Sequence, residues 1–141
     1  MGKSLWSKTL APCVAALTAA ASWSVTAAEL DGSKNMVCAV MEVVGCVEDA
    51  PCLQGRAGSF DLPNFVVIDA ANKVVRGSHE SGLEAVSTIK NMERNGSHLV
   101  LQGVENSRGW DIAIDAKTGK MNAAVVGEAV SFLVFGSCTA P

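Results

Sequence analysis

The chain contains no tyrosine, and only four phenylalanines and three tryptophans among its 141 residues. An outer-membrane barrel needs aromatic girdles at both lipid interfaces, so this scarcity argues against that class. No run of lysine or arginine occurs, which makes nucleic acid and anionic membrane poor partners. No C-x-x-C pair is present and no histidine neighbours a cysteine, so neither a zinc ligand set nor a thiol redox motif has its usual spacing. Gly119-Lys120 lacks the earlier glycines of a phosphate-binding loop. No nucleophile stands at a telling distance from a base. These absences leave no catalytic residues and no cofactor or metal to assign.

The first residues have the layout of a secretory leader. Lys3 and Lys8 supply a positive start, Leu10 to Val25 is uncharged and rich in Ala, Leu and Val, and Thr26-Ala27-Ala28 offers small residues for cleavage. The apolar run is shorter than the ~20 strongly apolar residues of a spanning helix. We therefore expect a signal peptide over 1–28, a single domain over 29–141, and a periplasmic or secreted protein with no membrane association after cleavage. Cys13 follows Leu10-Ala11-Pro12, a poor lipoprotein box because Pro12 stands where a small residue is needed, and it leaves with the leader.

Removing that leader leaves 113 residues, one domain's worth, able to bury about two thirds of its unfolded surface. Lys3 and Lys8 leave too, so nine basic residues face fourteen acidic ones and the formal charge falls from −3 to −5. Trp110 becomes the only tryptophan.

Short apolar, β-branched segments recur between turn signals. Met36 to Val44, Phe65 to Asp69, Lys73 to Gly77, His98 to Val104, Trp110 to Asp115, Met121 to Val126 and Val130 to Phe135 read as strands. Glu29 to Asn35 reads as a loose arm, and Gly45 to Asn64 as the longest irregular stretch. Residues 82–94 fit two patterns. Ser81 and Glu84 have capping-box spacing, and Leu83, Val86, Ile89 and Met92 recur every three residues, as on a helix. Asn95-Gly96 is a two-residue hairpin signal that demands a strand before it, so we take Ala85 to Arg94 as a strand. The result is an all-β domain of about eight antiparallel strands in a meander, curled into a small barrel or sandwich.

Four cysteines remain after the leader, and three pairings are open to them. Cys46 and Cys52 flank a proline-containing loop, while Cys38 and Cys138 lie at the first and last strands. A closing sheet brings those two strands together, which favours Cys38–Cys138 with Cys46–Cys52. An even cysteine count outside the cytoplasm points to disulfides, not free thiols.

Exposed, non-ligating side chains are the simpler reading for His79, His98, Asp111 and Asp115. The densest polar and aromatic cluster is Glu105, Asn106, Arg108 and Trp110. Arg and Trp are enriched at binding hot spots, so this loop is the candidate binding site, set against a plain hairpin leading into a core tryptophan. The first and last strands are apolar on both faces. Either the Gly45–Asn64 loop covers one of them or that face meets a partner, including a second copy of the chain.

Leu99-Val100-Leu101-Gln102-Gly103-Val104-Glu105-Asn106, Arg108-Gly109-Trp110, Thr118-Gly119-Lys120-Met121 and Phe135-Gly136-Ser137-Cys138-Thr139 resemble an uncharacterised family of small exported, periplasmic proteins of Gram-negative bacteria. That resemblance implies export and a β fold and brings no catalytic residues. In architecture alone the domain is similar to the C-type lysozyme inhibitors, small disulfide-tied barrels whose inhibitory Ser-Gly motif ends in tyrosine. Ser81-Gly82 is present here without any tyrosine, so their site is not carried over. The expected function is a binding or interaction module for a protein or a small ligand. An enzyme of unfamiliar type and a structural envelope component are the alternatives.

Overall fold

A computed structural model describes residues 30–78 and 84–141. The stretch expected to be a leader, with its expected cleavage site and Cys13, and the His79, Glu80 and Ser81-Gly82 positions lie outside the described residues. Among the described residues nine strands form one antiparallel sheet: β1 (Met36–Val47), β2 (Leu53–Gly55), β3 (Phe65–Asp69), β4 (Val74–Ser78), β5 (Glu84–Asn95), β6 (His98–Glu105), β7 (Arg108–Asp115), β8 (Lys120–Val126) and β9 (Val130–Thr139). From β3 to β9 each strand pairs with the next. β1 pairs with both β3 and β9, closing an eight-stranded barrel, and β2 is an extra strand on the far half of β1. The segment from Ala85 to Arg94 is strand, as the hairpin signal required.

Alternation decides which side chains enter the barrel. On β7, Ile112 and Ile114 are buried while Asp111 and Asp115 keep a more accessible face. On β6, Leu99 and Leu101 are buried, while His98 and Gln102 are exposed and Val100 between them is half-buried. Met36, Ile68, Leu99, Leu101 and Ile114 are almost wholly buried and fill one half of the barrel. Each side chain of this size contributes about 1.5–3 kcal/mol by leaving water.

The two disulfides are Cys38–Cys138 and Cys46–Cys52. Cys38 and Cys138 are direct partners in the β1–β9 ladder, so the longer tie sits on the seam that closes the barrel.

Four expectations need correction. The irregular stretch begins later than Gly45, because β1 continues to Val47, and the stretch itself contains β2 and a short 3₁₀ turn, Ala57–Phe60. Glycine at position 45 permits this: a Cβ there would lie 2.6 Å from the Phe60 ring, which covers that side of β1 and meets Phe132 edge to face at 5.9 Å. The hairpin after β5 uses Gly96-Ser97, not Asn95-Gly96. Asn95 pairs with His98, and Gly96 alone takes positive φ, the pattern of a turn with glycine first. Arg108 and Gly109 belong to β7, because Asn106 and Ser107 (φ 48° and 61°) complete a two-residue turn. Finally, Leu30 to Asn35 is not loose. Leu30 is only 4% exposed, its N–H donates to the Ala116 carbonyl at 3.2 Å, and Asn35 Oδ1 accepts the Ala70 N–H at 3.1 Å.

The apolar character of both faces of β1 has a structural explanation on one side. A bulge between Val40 and Glu42 shifts the alternation by one residue. Met36, Cys38 and Val43 thereby share the buried side, and Met41 is left outside at 70% exposure.

Candidate functional site: the open end of the barrel

Successive hairpins place their turns at alternate ends. The turns after β3, β5 and β7 lie at one end, where the Leu30–Asn35 arm and the buried Met36, Ile68, Leu99 and Ile114 close the lumen. At the other end lie the Asn106-Ser107 turn, the link between β8 and β9, and the Ala57–Asn64 segment. Among the described residues the barrel is not filled there. A cavity of about 280 Å³ occupies that half.

The cause lies in side-chain size. Gly77 on β4, Ala85 and Ser87 on β5 and Ala123 on β8 line the cavity with small side chains, and Gly103 on β6 leaves room for the Trp110 ring. At the closed end the equivalent positions carry Ile, Leu and Met. The remaining wall is apolar, formed by Val40, Leu62, Val66, Val75, Ile112, Val125 and Val134. Pro63 seals one flank by packing on Gly77, where a Cβ would stand 2.6 Å from its ring.

Trp110 forms part of the same wall. Its indole lies directly over Gly103 of the neighbouring strand, where any Cβ would overlap the ring. The ring thus reaches past β6 to β5, and its Nε1–H donates to Ser87 Oγ at 2.7 Å. Among the described residues Ser87 is the one buried polar side chain, at 6% exposure.

The rim is polar. Glu105 and Arg108 are ladder partners across the Asn106-Ser107 turn and line the mouth with Asn106. The stem of Arg108 rests on Gly127, whose glycine leaves room for it: a Cβ there would be 3.1 Å from Arg108 Cγ. Among the described residues Arg108 makes no ion pair. The candidate residues Glu105, Asn106, Arg108 and Trp110 therefore sit together at one opening, with Trp110 deepest.

Several contributors to this site escaped sequence reasoning. Leu62 and Pro63 lay in a stretch read as irregular. Ser87 lay in the segment torn between helix and strand. The signal that could have found the cavity was the run of small residues on one face at one end of adjacent strands.

Of the other candidates, His98 and Asp115 fall elsewhere, and Asp111 borders the cavity while its carboxylate bonds Gln102. His98 Nε2 stands 3.9 Å from Asp115 Oδ2 at the closed end, on the surface. Asp111 accepts from Gln102 Nε2 at 2.9 Å, and Gln102 accepts from Asn91 Nδ2 at 3.2 Å, a ladder on the outer face. Among the described residues no group of three His, Cys, Asp or Glu side chains is placed to hold a metal ion. No described helix is long and apolar enough to cross a membrane.

Neither a protein-family model nor a curated protein matches the chain. The fold and the site define a disulfide-tied, eight-stranded antiparallel barrel with one end packed and one end hollow.

Proposed function

We propose that this protein is an exported binding module that takes a small, mainly apolar molecule into the hollow half of its barrel. The observation that carries the reading is the cavity itself. Small residues hold open a lumen with apolar walls, and a polar rim of Glu105, Asn106 and Arg108 surrounds its mouth. Apolar cavities with a few placed polar groups are the usual form of small-ligand sites. Periplasmic or secreted residence fits the disulfides, which persist in oxidising compartments. The leader pattern and the resemblance to small exported proteins of Gram-negative bacteria support the same placing.

Calorimetric titration with a graded series of alkylbenzenes tests this. Saturable binding, weakened by Trp110→Ala and little changed by Arg108→Ala, supports a lumen site. Binding that Trp110→Ala leaves untouched would place the ligand elsewhere.

A second reading has its own observation. On the outer face of β9, β1 and β3 stand Leu133, Phe135, Met41, Phe65 and Val67, all exposed, with Phe65 at 61% and Leu133 at 50%. Apolar side chains exposed together on three neighbouring strands are a feature of association faces. Light scattering that gives a monomer mass at every concentration would remove self-association through this face.

A further inference from the structure

We propose that the ligand carries a single hydrogen-bond acceptor, a ketone, aldehyde, ester or ether oxygen, seated at Ser87. This rests on the lumen reading above and narrows it to a chemical class. A serine hydroxyl has one proton to donate and two lone pairs. The Trp110 N–H occupies one lone pair at 2.7 Å. No described residue accepts the Ser87 proton. Ser87 is more than nine-tenths buried and lines the cavity, so water reaches it only through the lumen. An indole donating to the hydroxyl oxygen also strengthens that hydroxyl as a donor. The lumen is therefore an apolar chamber with one directed donor in its wall, and a buried donor left unmet is costly. A ligand with an acceptor at that point gains what a pure hydrocarbon of equal shape does not.

Size follows from volume. A cavity of roughly 150 Å³ holds benzene, with its six carbons. By proportion, the 280 Å³ here suits a compact ligand of about eleven non-hydrogen atoms. The charged rim groups Glu105 and Arg108 have opposite sign and lie at the mouth, so they do not select a charged body for the interior.

Propiophenone and propylbenzene, which share an aryl-propyl frame and differ by the carbonyl oxygen, are the probes. Titrated into the oxidised full chain, both bind. Ser87→Ala weakens propiophenone about tenfold and propylbenzene less than about twofold. The infrared C=O stretch of bound propiophenone lies below its value in hexane, and this lowering persists in Trp110→Phe, which keeps the serine proton. That spectrum needs only the unaltered protein, so the test survives if Ser87→Ala fails to fold. A hexane-like stretch, or equal weakening of both probes by Ser87→Ala, overturns the acceptor while leaving the lumen site standing. If neither probe binds, the lumen reading falls as well.

Discussion

The indole of Trp110 crosses Gly103 to donate its N–H to Ser87, joining β7 to β5 over the intervening β6 at 2.7 Å. Gly103 is what allows the crossing. A methyl group at that position would overlap the ring and lie 2.7 Å from the Thr88 carbonyl oxygen, which cannot swing aside. Gly103→Ala should therefore destabilise the fold by about 1–3 kcal/mol, the usual cost of overpacking. It should also detach the indole from Ser87. Urea unfolding and the Trp110 indole proton resonance check both effects, and Gly109→Ala, with open space around it, is the control.

The two disulfides should contribute unequally. Cys38–Cys138 spans 100 residues and Cys46–Cys52 spans 6. On the chain-entropy account the longer loop restricts the unfolded chain more, by about 4.7 kcal/mol against about 2.3 kcal/mol. Denaturation of the Cys38→Ala/Cys138→Ala and Cys46→Ala/Cys52→Ala variants should rank in that order. The longer bridge also lies on the closing seam, so its loss should speed amide exchange along β1 and β9 first.

Asp115 should carry part of the acid dependence of stability. Its Oδ1 accepts the Thr118 and Lys117 backbone N–H groups at 2.8 and 2.9 Å, and these bonds hold its carboxyl below the ordinary value of 3.8. A carboxyl lowered in the folded state stabilises above its unfolded pKa, and that contribution fades as pH falls through the folded pKa. Asp115→Asn should melt lower than the unaltered chain at pH 7. The two melting temperatures should converge as pH drops below 3.8. A difference independent of pH would assign the effect to turn geometry alone.

Much of the barrel was legible in the sequence because its devices are local. Trp110, Ile112 and Ile114 alternate with accessible neighbours, and Gly119 takes the positive φ its turn requires. The cysteine pairing followed from the need of a closed sheet to join its first and last strands. The bulge at Met41 was not legible, since nothing in its immediate neighbours marks the extra residue. Nor was the docking of Leu30 against Ala116, a contact between distant segments that depends on which end of the barrel stands open. At the site, Glu105, Asn106, Arg108 and Trp110 stood out by residue type, whereas Ser87, Leu62 and Pro63 acquire meaning only once the strands curl. Small residues such as Ala85 and Ala123 announce nothing singly. They matter because β4, β5 and β8 place them around one cavity.

Ala123 offers the most direct test of the hollow barrel as a binding site. It lines the cavity and carries no polar group, so Ala123→Leu adds three carbons to the lumen without changing a rim residue. Calorimetric titration of propylbenzene into the unaltered chain and into this variant should show saturable binding in the first. The variant should bind at least about tenfold more weakly, a loss of roughly 1.4 kcal/mol, while its melting temperature is unchanged or higher. Equal affinity in the two proteins would contradict a ligand site inside the barrel.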